Sequence, residues 1–200
     1  MERLALLNQL SVQQKKEWGE ILTGFEMKNA YTVTDASGRE VLLAAEEGGS
    51  TLARLFLKGL RPFDMLIAAP EGAPILHLHR PFRFYFHEIG VNDAGGNALG
   101  SIQKRFAWVR RRYDVLDARG SLIYTLFGPI LKPWTFFIKR GDAEVGKIAK
   151  KWSGLGKEAF TKADNFGIKF PSTADPRQKA VLLGAVFLID FVHFESKGNG

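Results

Sequence analysis

Ala180-Val-Leu-Leu-Gly-Ala-Val-Phe-Leu-Ile189, closed by Asp190 and Phe191, decides how the rest of this chain folds. At helical spacing Val181, Leu182, Leu183, Val186, Phe187, Leu188, Ile189, Phe191 and Val192 cover every face. A helix that is apolar all round lies either in lipid or inside protein. The unbroken apolar part is roughly half of the ~20 residues that a membrane span needs, and Asp190 closes it. The pattern therefore predicts a buried helix over about 177–194, with a domain wrapped around it.

Upstream, short β runs alternate with turn signals. Tyr31–Thr34 leads through Asp35-Ala-Ser-Gly38 into Glu40–Leu43, and Phe63–Ile67 leads through Pro70-Glu-Gly72 into Pro74–Leu78. Phe86–Ile89 precedes a turn at Asp93-Ala-Gly-Gly96. Tyr113–Leu116 turns at Asp117-Ala-Arg-Gly120 into Ser121–Leu126, and Thr135–Ile138 turns at Arg140-Gly-Asp142 toward Val145–Ile148. Asp and Gly at these places supply the backbone conformations of hairpins. About five hairpins at a spacing of roughly 22–35 residues have the cadence of a barrel or sandwich, not of parallel βαβ units. Ser11, with Gln14 three residues on, reads as a capping box for a helix over Val12–Leu22. The expected organisation is an N-terminal helical segment, 1–22, and one domain, 23–196. The fold class is mainly β: a closed antiparallel β-barrel enclosing the hydrophobic C-terminal helix. Closure removes the sheet edges, and the helix fills the interior. Deleting that helix is expected to abolish folding.

Two hundred residues with 46% hydrophobic content suffice for one domain with a sizeable core. The formal charge of +7 predicts an anionic partner: a lipid surface, nucleic acid or acidic protein. Residues 101–160 hold 13 Lys and Arg against 5 Asp and Glu, so this region alone exceeds the surplus of the whole chain. There is no cysteine, which excludes disulfides, thiolate metal sites and cysteine lipidation. Glu2 stands where myristoylation needs glycine, and no secretory pattern is visible at the N-terminus. The expectation is a cytoplasmic protein that associates peripherally with membranes.

Signals for covalent catalysis are poor, and a chemical enzyme is not expected. There is no Gly-x-Ser-x-Gly elbow and no His-Glu-x-x-His. Ser153-Gly-Leu-Gly-Lys157 resembles the end of a phosphate-binding loop, but Glu158 and Lys151 stand where that loop needs Ser or Thr and glycine, so it reads as a turn. His77 and His79 share one face of a strand and could chelate a metal together, with His87 and Glu88 as further candidates. Two histidines on a sheet face are otherwise unremarkable, and His193 reads as a hydrogen-bonded residue at the rim of the core.

The basic region consists of Arg110, Arg111, Arg112, Lys139, Arg140, Lys147, Lys150 and Lys151, with Trp152 beside them and Trp108 and Trp134 nearby. On strands these residues alternate faces, so only some can share a patch. Indole rings favour the lipid–water interface, and each cation near an anionic surface contributes about 1 kcal/mol. Cations beside aromatics also suit single-stranded nucleic acid, though no nucleic-acid-binding signature accompanies them.

The C-terminal third resembles the phospholipid scramblase family. The resemblance rests on Val145–Ile148, Lys151-Trp-Ser-Gly154, Glu158-Ala-Phe-Thr161, Ala163-Asp-Asn-Phe-Gly-Ile168, Phe170-Pro171 and Lys179 through Ser196, with Gly128-Pro129 fitting the middle region. Leu22–Glu26 and Arg80-Pro81 extend it toward the N-terminus. It implies a tubby-like barrel around a central helix, binding to anionic phospholipid membranes, and calcium-activated movement of phospholipids between leaflets. It also implies calcium binding just before the helix. Here Lys162 and Thr173 replace two aspartates of the family pattern, leaving Asp164, Asn165 and Asp175. Calcium needs 6–8 oxygen ligands, and an ammonium group in their midst opposes the ion, so weak calcium binding or none is expected. A tubby-like lipid-binding module without transport and a nucleic-acid binder are the alternatives.

Overall fold

Three turns share the sequence Asp-Ala-x-Gly and one set of hydrogen bonds. Oδ1 of Asp35, Asp93 and Asp117 accepts the backbone N–H groups two and four residues on, at Ser37 and Arg39, Gly95 and Asn97, and Arg119 and Ser121. The closing glycines Gly38, Gly96 and Gly120 have φ of 82°, 82° and 80°, a conformation that costs glycine nothing. Each glycine N–H donates to the carbonyl of its aspartate, which sets the register of the strands on either side.

The computed structural model describes residues 2–15, 30–47, 62–82, 87–106, 111–150 and 165–193. The short helix α1 (Glu2–Ala5) precedes twelve strands. They are β1 (Gln9–Lys15), β2 (Ala30–Thr34), β3 (Glu40–Glu47), β4 (Phe63–Ala68), β5 (Pro74–Arg80) and β6 (Glu88–Asp93), then β7 (Ala98–Arg105), β8 (Arg111–Asp117), β9 (Leu122–Gly128), β10 (Thr135–Arg140), β11 (Ala143–Lys150) and β12 (Asn165–Lys169). Helix α2 spans Pro176–His193. Each strand pairs antiparallel with its neighbour in sequence, and β1 pairs with β12 to close the barrel. Because direction alternates, the tight turns after β2, β4, β6, β8 and β10 all fall at one end, the turn end. The connection from β9 to β10, residues 129–134, lies at the other, the loop end.

The helix expected over Val12–Leu22 is corrected over its first turn. Ser11 to Lys15 belong to β1, with Ser11 opposite Thr34 on one side and Gly167 on the other. Leu10 and Val12 are buried with a period of two, the strand period, which overrides the local capping pattern. The barrel therefore begins at Gln9, not at residue 23; residues 16–22 lie outside the described residues.

Helix α2 fills the lumen. Eight-stranded barrels are filled by their own side chains and sixteen-stranded ones hold a channel, so twelve strands leave room for one helix about 10 Å across. Twelve of the eighteen helix residues are buried, among them Val181, Leu182, Leu183, Val186, Phe187, Leu188 and Ile189, which leaves no polar face. At ~1.5–3 kcal/mol per large apolar side chain this burial is worth on the order of 10–20 kcal/mol before entropic costs, more than the net stability of a typical domain. Glycine at 184 lets the backbone approach the wall: a Cβ there would lie 2.8 Å from Cγ2 of Val91.

Polar contacts fix the helix at both ends. At the turn end Asp175 Oδ1 accepts the Gln178 N–H at 2.9 Å as the N-cap, and Lys179 Nζ donates to the Ala5 carbonyl at 2.7 Å. At the loop end Tyr31 Oη donates to Asp190 Oδ2 at 3.3 Å, and Tyr113 Oη lies 2.7 Å from His193 Nε2. Among the described residues no helix is long and apolar enough to cross a membrane.

Candidate functional site

Registers across six strands place one row of side chains on the outer wall. Arg105 lies opposite Arg112, Arg112 opposite Phe127, Phe127 opposite Phe137, Phe137 opposite Lys147, and Lys147 opposite Lys169. At ~4.8 Å per strand the row is about 24 Å long. The alternating partners of this row, Tyr113, Leu126, Phe136, Ile148 and Ile168, are buried, which fixes the row itself outside. The tilt of strands in a barrel makes the row start at the loop end, with Arg105 and Arg112, and descend toward β12.

Neighbouring charges reinforce it. Lys139 Nζ sits 5.2 Å from the centre of the Phe127 ring and Lys132 Nζ 5.5 Å from that of Phe137. Asp114 accepts from both Arg105 Nε at 2.7 Å and Arg112 Nε at 3.4 Å, so one carboxylate serves two guanidinium groups and a net positive charge remains. Cations spaced along aromatic rings can hold phosphates while the rings meet hydrocarbon.

The predicted basic residues therefore divide. Arg112, Lys139 and Lys147 share the outer wall. Lys150 stands at the loop-end rim, its Nζ 5.4 Å from the Phe166 ring centre. Arg111 faces the other way: its guanidinium lies 4.5 Å above the Phe136 ring and donates to the carbonyls of Pro129, Lys132 and Pro133. Burial holds its pKa below the usual arginine value. Arg140 is at the turn end, where Nη2 donates to Tyr124 Oη at 2.7 Å and Nη1 to Thr173 Oγ1 at 3.3 Å. Arg110, Lys151 and Trp152 lie outside the described residues. Arg105, Lys132 and Lys169 join the site without having been expected.

Asn165 and Asp175, two of the residues expected to approach a cation, do not converge. Asn165 opens β12 at the loop end, and its buried Oδ1 has no hydrogen-bond partner among the described residues. Asp175 is at the turn end, beyond the whole of β12, and its Oδ1 is committed to the helix N-cap. Five residues of strand span about 13 Å, so these two do not fit one calcium ion. Asp164 lies outside the described residues.

His77 and His79 share the outer face of β5, as expected, but His87 and Glu88 do not join them. His79 Nδ1 is 2.6 Å from Asp64 Oδ1 on the surface, while His87 is buried, its Nδ1 accepting from Arg80 Nη2 at 2.6 Å. Burial, then the charges of Arg80 and Lys104, lower the His87 pKa to about 4. Glu88 accepts from Gln103 Nε2. Among the described residues no three metal-ligating side chains cluster.

The family model described as Scramblase matches residues 1–196. The chain belongs to the scramblase family. Phospholipid scramblase 1 of Mus musculus is 36% identical over 213 residues, covering 100% of this chain and 65% of the mouse protein. Phospholipid scramblase 1 of Homo sapiens is 34% identical, with 100% of this chain and 67% of the human protein covered. Phospholipid scramblase 2 of Bos taurus is 34% identical, with 98% and 71% covered. This scramblase-family chain thus spans about two thirds of the length of the relatives it matches. A solved protein from Arabidopsis thaliana shares the fold, with a TM-score of 0.53 and 13% identity over 94% of this chain and 96% of that one.

Proposed function

We propose that this scramblase-family chain binds anionic phospholipid membranes through the outer row of Arg105, Arg112, Phe127, Phe137, Lys147 and Lys169, and moves phospholipids between leaflets. The observation that carries the reading is that row, in which four cations flank a pair of aromatic rings in direct register. Phosphates would meet the cations and acyl chains the rings, with no bond made or broken. Cytoplasmic leaflets carry the negative charge that such a surface needs, so the protein acts there as a peripheral membrane protein. In this reading docking does not depend on calcium, a view supported by Asn165 and Asp175 standing at opposite ends of the barrel, with Asp175 capping the helix.

One observation favours a second reading, lipid binding without transport: the apolar helix is consumed by the core. Flotation with neutral and anionic liposomes, each with calcium and with chelator, tests the binding. Association with anionic liposomes alone, the same in both ionic conditions, is the expected result. Salt-sensitive binding to DNA with none to liposomes overturns it in favour of nucleic acid. A dye-quenching assay of leaflet exchange in reconstituted vesicles then separates transport from binding.

A further inference from the structure

We propose that Pro129-Ile-Leu-Lys-Pro-Trp134 is a preformed finger that carries Leu131 and Ile130 into the hydrocarbon of an anionic bilayer, so that the barrel docks loop end down. The proposal rests on the lipid reading above and refines it: the loop-end members of the row, Arg105 and Arg112, meet the headgroups first, and Lys169, at the turn end of β12, stands away from them.

Large apolar side chains are not exposed evenly. Among the described residues Leu131 is 94% exposed, Phe106 74%, Ile130 58%, Trp134 44% and Phe82 40%, and all five are at the loop end. Phe82 and Phe106 follow the last residues of β5 and β7 at the same rim. Only Leu6 and Leu122 are comparably exposed at the turn end. Cations stand among the five: Lys132 in the finger, Arg105 and Arg112 beside it, and Lys150 across β10 and β11. That charge complements an anionic headgroup layer, whereas apolar tips alone would suit a protein partner or a second copy equally well.

The base of the finger is prepared for a dry environment. A loop entering hydrocarbon normally carries unsatisfied carbonyls, at several kcal/mol each. Here the Arg111 guanidinium accounts for those of Pro129, Lys132 and Pro133. The carbonyls of Pro129 and Lys132 also accept the N–H groups of Lys132 and Thr135. Pro129 and Pro133 have no N–H to lose, and their rings fix φ. Gly128 makes room for the clamp: a Cβ there would lie 2.8 Å from the Phe136 ring and 3.1 Å from Arg111 Nε. With the carbonyls of Pro129, Lys132 and Pro133 turned inward on Arg111, the Ile130, Leu131 and Trp134 side chains face outward, while Lys132 can extend its stem to the headgroups.

The absence of native cysteine allows a direct test. Leu131→Cys and Leu122→Cys, one probe at each end, are labelled with an environment-sensitive fluorophore and mixed with phosphatidylcholine vesicles containing phosphatidylserine. The label at 131 is expected to shift to the blue and to be quenched by lipids carrying a quencher on the acyl chain; the label at 122 is expected to do neither. In parallel, Leu131→Glu is expected to lower the vesicle partition coefficient roughly tenfold or more with an unchanged melt, and Leu122→Glu to leave both as they are. If the unmodified protein floats while the label at 131 reports water and Leu131→Glu floats too, the finger is overturned and the lipid reading stands. If the unmodified protein does not float at all, both fail. A blue shift at 131 that grows with protein concentration in the absence of vesicles assigns the finger to a second copy of the chain and overturns its insertion.

Discussion

The two ends of the barrel are made by the same twelve strands, yet they turn opposite chemistry outward. At the turn end, carboxylates are spent on their own backbone: Asp35 and Asp93 are held below the usual carboxylate range, chiefly by hydrogen bonds from the Ser37 and Asn97 side chains. At the loop end a cation, Arg111, is spent on backbone carbonyls, and the apolar side chains are left outside. Each end spends a charged side chain on backbone groups of its own turns: Asp35 and Asp93 at one, Arg111 at the other. Among the described residues, what differs is the remainder, acidic and hydrated at one end, apolar and cationic at the other. The lesson is that a closed meander confines tight turns to one rim and leaves the other free to carry function.

The largest effect should come from breaking the element that joins the ends. Gly184→Phe pushes a ring against Val91, to which even a Cβ would be too close, and against Ile102 and Leu78, and should cost about 3 kcal/mol or more. Urea unfolding of the variant checks this, and a midpoint like that of the unmodified protein would mean that α2 does not pack against the wall at Gly184.

Acid should separate the ends next. His87 is neutral in the folded protein with a pKa of about 4, against 6.5 when exposed. The unfolded chain therefore binds the extra proton first. The contribution is full above pH 6.5 and is lost as pH falls toward 4, by on the order of 2 kcal/mol. His87→Gln should flatten stability over that window. Hydrogen exchange should show the loss first at the loop ends of β5 and β6, ahead of the turns. Asp93→Ala does the reverse. It removes the acceptor for Gly95 and Asn97 and should lower stability by about 1 kcal/mol, while vesicle binding stays as it was.

The turn end was the more legible in the sequence, because its structure is local. Asp-Ala-x-Gly fixes a hairpin within five residues, and the all-round apolar pattern of α2 needs no partner to be recognised. The start of the barrel was not legible. Ser11 and Gln14 satisfy a capping pattern, and only pairing with residues distant in sequence, Ser11 with Thr34 and Gly167 and Gln14 with Tyr31, makes them strand. The functional surface needs still more. That Arg111 and Arg112 must split between faces follows from strand alternation, but the place Arg111 takes depends on Gly128 leaving space beside Phe136. The row reaching Lys169 exists only through five registers. The one overlooked local signal was Ile130-Leu131 between two prolines, an apolar pair where a turn would normally be polar.

The smallest effect is also the sharpest test of whether the ends differ. Lys132→Ala in the finger and Arg119→Ala in the turn after β8 each remove one positive charge from an exposed residue. Attraction that depended on net charge alone would weaken equally in both variants. Docking by the loop end predicts otherwise. Lys132→Ala should lose about 1 kcal/mol of binding to anionic vesicles, near fivefold, because its ammonium reaches the headgroup layer. Arg119 points away from that layer by the full height of the barrel, beyond the ~8 Å over which physiological salt screens a charge, so its removal should not be felt. Stability should stay within about 0.5 kcal/mol in both, since neither side chain is buried. Equal losses in a sedimentation assay would reduce the comparison of the two ends to a difference of shape without a difference of function.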